Sequence, residues 1–349
     1  MEKKLFQKID YISFANVIAT LAVVFLHVNG CFWDFSATEA YWKTANIIES
    51  IFYFAVPVFF MISGATLLDY HDRYGTKEFF LRRIHKSVIP YLGWSLISLI
   101  AQICLHLISI DEINARYVLS GLFAGRIVKI YWFFPVLFSV YLSVPVFALI
   151  PKEKKIRAFT YFAGVGFLVN ILIPFLNTVS KLQIEFPISF LAGTGYLFYI
   201  AVGYLISHVD ISGRGRVILY GLAGIGFIIH LSGTWYLSMA TGGIDATFKG
   251  YCNLPSVLYS VGIFLCLKQI GTRLMNKQVI ARFIRWVNNY TFGIYLIHVG
   301  VIWIICQVIP VIDVRSIIWR VSAPFVVFFI SVAGIFILKK IPGVRKLVP

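Results

Sequence analysis

Long apolar segments run through this sequence and limit the folds open to it. They are roughly 18 to 22 residues long, the length that a helix needs to cross a hydrocarbon core of about 30 Å. Strands of a membrane barrel would instead alternate apolar and polar residues. Composition agrees, because 59% of the residues are hydrophobic and 13% are charged. The sequence therefore predicts an all-α, polytopic transmembrane helical bundle.

The apolar segments predict about ten membrane spans. We place them at residues 13–33, 47–69, 88–109, 130–150, 159–178, 190–208, 217–236, 254–270, 288–309 and 318–338. The first span follows a basic stretch and lacks a small-residue cleavage site, so we expect it to be retained. The segments between spans are too short for a separate soluble domain. We therefore expect one integral-membrane domain over residues 1–349.

The basic residues predict the orientation of the spans. The net charge of +16 could suggest a nucleic-acid partner, but the Lys and Arg residues form short clusters between apolar segments. Nucleic-acid binding would favour one continuous basic face, so we expect no such partner. Cytoplasmic loops are enriched in Lys and Arg. Most of the 31 basic residues fall on the inner side if both termini are cytoplasmic, so we expect that orientation. We also expect a multi-pass protein of the plasma membrane, in contact with membrane lipid.

The five cysteines do not predict a metal or redox site. They are scattered in or beside apolar segments, with no paired spacing typical of zinc ligands or a redox motif. We expect inert packing thiols and no bound metal.

The first span carries a polar stripe that ends at a histidine. Asn16 and His27 are eleven residues apart, which returns to within roughly 20° of the same helix face, with Ser13 and Thr20 within about 60°. An ionisable side chain inside a span is costly and favours a functional role. Burial favours the neutral imidazole, which can act as a general base. The alternative is a histidine that only hydrogen-bonds between helices.

A second histidine lies in the ninth predicted span. Thr291, Tyr295 and His298 are spaced by four and three residues, so they share one helix face. These three side chains could line a catalytic or substrate-binding site. They could equally form interhelical hydrogen bonds, because Thr and Tyr commonly do so in membrane bundles.

A basic segment before the third span contains the pair Arg82 and Arg83. Five bases fall between Arg73 and Lys86. They could mark the cytoplasmic side or contact anionic lipid. Alternatively, the two guanidinium groups could bind phosphates at the membrane surface.

Five local patterns give the chain a family resemblance. They are Val23–His27, Val58–Gly64, Phe79–Trp94 around the arginine pair, Tyr131–Phe134 with Tyr141–Pro145, and Tyr290–His298. In this order, on ten predicted spans, they resemble the integral-membrane acyltransferase family 3, and the similarity covers all ten spans. The family commonly has an arginine eleven residues before the first-span histidine. Here that position is Asn16, which can hydrogen-bond but carries no charge.

The resemblance implies transfer of an acyl group, usually acetyl from acetyl-coenzyme A, to a hydroxyl of an extracytoplasmic glycan, lipid-linked sugar or related envelope molecule. His27 would act as the general base or as a transient acyl carrier. Arg82 and Arg83 would bind the phosphates of the acyl donor. Candidate supporting or substrate-binding residues are Asn16, Ser63, Trp132, Tyr295 and His298.

Two functions of other classes stay open at this point. A transporter or flippase of an envelope precursor would also use a polar stripe, although we find neither repeat symmetry nor many acidic residues within the spans. A non-enzymatic sensor or scaffold would leave the buried histidines without a role.

Overall fold

The computed structural model describes residues 2–181 and 184–349, and it describes side chains from Asp10 onward. The described residues form helices and loops, and none of them belongs to a β-strand. The α-helices are α1 (Glu2–Val28), α2 (Ala40–Phe52), α3 (Ala55–Leu67), α4 (Thr76–Arg83), α5 (Ile89–Cys104), α6 (Ala115–Ala124), α7 (Phe133–Ala148), α8 (Lys152–Gly166), α9 (Ile173–Ser180), α10 (Tyr196–His208), α11 (Gly213–Thr241), α12 (Leu254–Leu274), α13 (Gln278–Asn288), α14 (Thr291–Val308) and α15 (Ile317–Leu338).

Nine helical segments among the described residues are long and apolar enough to cross a membrane. They are Asp10–Val28, Ala40–Asp72, Thr76–Cys104, Lys129–Ala148, Lys152–Ser180, Gly213–Thr241, Leu254–Leu274, Thr291–Val308 and Ile317–Leu338. Each corresponds to one predicted span, so the prediction of a polytopic helical bundle is confirmed. The placement of both termini in the cytoplasm stays a prediction.

The sixth predicted span differs most from its prediction. Its helix, α10, has only 13 residues and begins at Tyr196 rather than near residue 190. Gly195 has a φ of +53°, a conformation that ends helical geometry on its N-terminal side. At 1.5 Å per residue the helix is about 20 Å long, too short to span alone.

Two contacts nevertheless show that α10 runs antiparallel to α8. The rings of Phe159 and Tyr204 lie 4.9 Å apart, and a Cβ on Gly166 would come within 2.6 Å of the Gly193 carbonyl oxygen. The Tyr11 hydroxyl meets the Ser207 hydroxyl at 2.6 Å. The C-terminal end of α10 thus lies beside the N-terminal part of the first span. This is the position expected if the sixth span returns the chain to the side of the membrane where the first span begins.

The chain divides into two compact units. The first contains residues 1–66 and 151–332, and the second contains residues 67–150 and 333–349. In the first unit α1 packs against α12, α13 and α14, and α11 packs along α12. Gly271 allows a close approach there, because a Cβ at this position would lie 3.0 Å from the Tyr11 side chain.

The second unit joins α4 to α7 with the C-terminal segment. The Trp94 indole donates to the Leu347 carbonyl at 3.0 Å, and the Gln102 amide donates to the Ile127 carbonyl at 3.2 Å. The Tyr91 hydroxyl donates to the Leu122 carbonyl. These polar side chains satisfy backbone carbonyls near helix ends, where the helix itself cannot.

Two long helical segments are interrupted by π-helical turns, at Ile84–Val88 and Phe167–Leu172. In each case a proline follows at the second residue of the next helix, Pro90 or Pro174. Proline has no N–H to donate, and its ring crowds the carbonyl four residues earlier, so the preceding turn widens. The first of these turns directly follows Arg83.

Candidate active site

The two histidines predicted from sequence meet in the structure. Nε2 of His298 lies 2.9 Å from Nδ1 of His27, and the ring centroids are 4.9 Å apart. The two residues are 271 positions apart in the chain, and α1 and α14 bring them together. His298 is fully buried, whereas His27 is partly exposed. His27 is therefore the more exposed member of the pair.

The hydrogen bonds of His298 define the role of each ring nitrogen. Its Nδ1 lies 2.9 Å from the Ile294 carbonyl oxygen, which can only accept, so Nδ1 carries the proton. In the neutral ring Nε2 must then accept, and the donor is Nδ1–H of His27. This arrangement leaves Nε2 of His27 with its lone pair, in the form that a general base requires.

Asn16 and His27 both contact α14, but at positions far apart along the helix. Its amide donates to Asn288 Oδ1 at 2.8 Å and to Thr291 Oγ1 at 2.9 Å. The pairs Asn16–Thr291 and His27–His298 show that α1 and α14 run in the same direction, as the first and ninth predicted spans should. Eleven residues of helix separate Asn16 from His27 by about 16 Å. Asn16 thus ties α1 to α14 and does not contact the histidine pair.

The other predicted supporting residues fall in different surroundings. Tyr295 is buried, and its ring lies 5.8 Å from the ring of His298. The Ser63 hydroxyl donates to the Phe59 carbonyl one turn earlier in α3, at 3.0 Å. Trp132 belongs to the second unit and packs edge-on against Phe133 at 6.5 Å. Of these three residues, Tyr295 is the one that the structure shows in contact with the histidine pair.

Arg82 and Arg83 lie at the end of α4 and point to different neighbours. The Arg82 guanidinium forms an ion pair with Glu78 at 2.5 Å and lies 4.3 Å from the centroid of the Tyr74 ring. Arg83 is half-buried, and its guanidinium carbon lies 5.6 Å from the centroid of the Tyr141 ring. Adjacent residues of a helix diverge by about 100°, so the two side chains do not form a common clamp in this structure.

A buried ion pair that sequence analysis missed joins Glu49 of α2 to Lys249. Their charged atoms are 2.8 Å apart, and the side chains are 4% and 3% exposed. The ammonium also lies 3.9 Å from the Tyr53 ring centroid and 4.6 Å from that of Phe32. Burial lowers the pKa of Lys249, and the neighbouring Glu49 carboxylate partly offsets this effect. An acidic residue inside a predicted span is a signal that could have found Glu49, but its partner 200 residues away could not be predicted.

A third histidine, His230, lies buried beside this ion pair. Its Nδ1 is 3.2 Å from the Ser256 hydroxyl, and its ring packs edge-on against Tyr53 at 4.7 Å. Nearby, the Asn46 amide donates to the Leu231 carbonyl at 3.0 Å. The interface between α2 and α11 is therefore polar, in contrast to most of the bundle.

The cysteines outside the spans have the properties of packing thiols. Burial raises the pKa of Cys252 to about 11 and also raises the pKa of Cys31. A thiol with a raised pKa is a poor nucleophile at neutral pH. Among the described residues, no group of three His, Cys, Asp or Glu side chains is arranged to hold a metal ion.

We predict that Lys249→Met destabilises the protein, because it leaves the Glu49 carboxylate buried without its partner. Removing one member of a buried pair costs about 3–5 kcal/mol, whereas replacing both with apolar residues is often nearly neutral. The double variant Glu49→Leu with Lys249→Met should therefore be more stable than Lys249→Met alone. Thermal unfolding in detergent measures this order of stability, and a single variant as stable as wild type would contradict it.

The fold and site together define a class: a polytopic helical membrane protein whose bundle holds a histidine pair suited to proton transfer. A family model described as an acyltransferase domain, of the acyltransferase 3 type, matches residues 9–340. The chain therefore belongs to the membrane acyltransferases of family 3, as the five sequence patterns suggested. No curated protein and no solved structure matches the chain.

Proposed function

We propose that this membrane acyltransferase moves an acetyl group from cytosolic acetyl-coenzyme A to a hydroxyl of an extracytoplasmic glycan or lipid-linked envelope molecule at the plasma membrane. One observation carries the proposal: His27 hydrogen-bonds through Nδ1 to the buried His298, so its Nε2 lone pair can accept a proton. Family membership supports acyl transfer in general and disfavours the transporter hypothesis.

In the proposed mechanism His27 acts as the general base. Nε2 takes the proton of the acceptor hydroxyl while the hydroxyl oxygen attacks the thioester carbonyl carbon. The tetrahedral intermediate collapses, the carbon–sulfur bond breaks, and the acetyl ester remains on the acceptor. The coenzyme A thiolate takes the proton from the His27 imidazolium. His298 Nε2 accepts the Nδ1–H bond throughout and stabilises the imidazolium while it exists.

A covalent route uses the same residue. Nε2 of His27 would attack the thioester first, form an acetyl-imidazole and release the coenzyme A thiolate. The acceptor hydroxyl would then take the acetyl group as the carbon–nitrogen bond breaks, and its proton would pass to the freed Nε2 and on to the thiolate. Rapid mixing without acceptor separates the routes. The covalent route predicts a burst of free coenzyme A equal to the enzyme concentration, whereas the direct route predicts none.

The developing negative charge on the thioester oxygen needs hydrogen-bond donors. Of the residues proposed for this role, Tyr295 is supported best, because its ring lies beside His298. Asn16 is better explained as the tie between α1 and α14. Ser63 and Trp132 remain candidates from the family resemblance alone.

The proposal is tested by incubating membranes that contain the protein and native acceptors with isotopically labelled acetyl-coenzyme A. Label should move from the donor to the membrane fraction, in proportion to the amount of protein. Membranes that never consume the donor would exclude the proposed donor.

We predict that Arg82→Ala combined with Arg83→Ala raises KM for acetyl-coenzyme A, because both guanidiniums are proposed to bind its phosphates. Hydrogen bonds to charged groups contribute about 1.5–3 kcal/mol each, so the expected rise is at least about tenfold. Initial rates over a range of donor concentrations measure it. Lys77→Ala is the matched control, because Lys77 is an exposed base on the same helix. An unchanged KM in the double variant would remove both arginines from the donor site.

A further inference from the structure

A cavity of about 430 Å³ lies in the first unit, between the segment after α10, the start of α11 and the end of α12. This volume lies within the range of roughly 300–1,000 Å³ usual for small-molecule sites. Its polar lining residues are Asp210, Arg216, Lys268, Gln269, Thr272 and Arg273. The unit that contains His27 therefore has a cavity lined mainly by basic and hydrogen-bonding side chains.

The two arginines of this cavity are not occupied by other side chains. Within the described part of the chain, neither Arg216 nor Arg273 forms an ion pair or a side-chain hydrogen bond. Lys268 donates to the Ile206 carbonyl at 2.5 Å, which holds its ammonium at the end of α10. The cavity thus presents two available guanidinium groups and one fixed ammonium.

The charge and geometry of these groups indicate the ligand. Three cations and one carboxylate line the cavity, so its net charge favours an anion. Guanidinium groups match phosphate oxygens with two parallel hydrogen bonds. Gln269 and Thr272 add neutral groups that can bond to the rest of an organic ligand. We propose that Arg216, Lys268 and Arg273 form a binding site for an organic phosphate.

The site lies on segments predicted to face the cytoplasm, where phosphates reach it from two sources. One source is the acyl donor, whose coenzyme A moiety carries a diphosphate and a 3′-phosphate, and this assignment rests on the proposed function. The other source is an anionic phospholipid of the inner leaflet. A basic segment that served only as a topology signal would need no cavity, since the positive-inside rule depends on the number of bases and not on where their side chains converge.

Coenzyme A and phosphatidylglycerol are the two probes that distinguish the sources, and dephospho-coenzyme A tests the role of the 3′-phosphate. The purified full chain is placed in nanodiscs of phosphatidylcholine, and binding of coenzyme A, of dephospho-coenzyme A and of added phosphatidylglycerol is measured by native mass spectrometry. The test variant is Arg216→Gln with Arg273→Gln. Arg214→Gln is the matched control, because Arg214 is an exposed base two residues from Arg216 and does not line the cavity.

We expect the double variant to bind one of the two probes about 10- to 100-fold more weakly, since two charge-assisted bonds are lost. The control should bind both probes with the affinity of the wild type. A loss confined to coenzyme A assigns the site to the donor, and a smaller loss with dephospho-coenzyme A places the 3′-phosphate there. A loss confined to phosphatidylglycerol assigns it to lipid. Unchanged binding of both probes would overturn the proposal. Loss of binding in a chain whose wild type never transfers acetyl would overturn the proposed function and leave this site standing.

Discussion

His27→Ala is expected to lower the rate of acetyl transfer by about 10²- to 10⁴-fold, the usual contribution of a general base. The variant removes the Nε2 lone pair of His27. Among the described side chains, His27 is the one bonded to His298 Nε2, so no second side chain stands ready to take over its role. His27 is partly exposed, so truncation should leave the fold intact. The measurement is kcat on labelled acetyl-coenzyme A, in membranes matched for protein level.

His208→Gln serves as the control for this variant. His208 is a half-buried histidine of the same unit, and its Nδ1 bonds to the Tyr204 carbonyl at 2.8 Å. Its replacement should change kcat less than twofold. Equal activity in His27→Ala and wild type would remove His27 from the mechanism.

His298→Leu is expected to lower kcat about 10- to 100-fold, the effect seen when a partner that orients a metal-bound imidazole is removed. Leucine cannot accept the Nδ1–H bond of His27, so the ring loses its bond to His298, the bond that favours the tautomer that exposes the Nε2 lone pair. KM for the donor should change little, because His298 is fully buried and does not meet the substrate. Full kinetic curves for both substrates measure this separation of kcat from KM.

His298→Gln tests whether the effect comes from the hydrogen bond or from packing. A glutamine side chain can place its carbonyl oxygen near the position of Nε2 and accept the same bond. Recovery of much of the lost kcat in this variant would support a positioning role. If the leucine and glutamine variants lose kcat equally, packing rather than the hydrogen bond accounts for the loss.

The fold was largely predictable because each span is a local property of the sequence. A run of apolar residues specifies a helix of the right length without knowledge of its partners, and nine segments follow that rule. The start of α10 was predicted wrongly, since Gly195 does not interrupt an apolar segment but its positive φ ends the helix there. Hydropathy does not detect such a break, whereas the backbone freedom of glycine explains it.

The candidate site was predictable only in part. Helical periodicity placed Asn16 and His27 on one face, but a shared face does not mean a shared site when the residues are about 16 Å apart along the axis. His27 and His298 were each singled out, and only the packing of α1 on α14 shows their contact. The ion pair of Glu49 with Lys249 was missed because it depends on a contact 200 residues apart in sequence.

Acetyl transfer from a cytosolic donor to an extracytoplasmic acceptor is proposed to depend on His27. This proposal is tested most directly in sealed inside-out vesicles given labelled acetyl-coenzyme A on their outer, cytoplasmic face. We predict that label accumulates on acceptors within the lumen of wild-type vesicles and falls at least about 100-fold with His27→Ala. Label that stays on the donor in wild-type vesicles, or that reaches the lumen equally in the variant, would contradict this account.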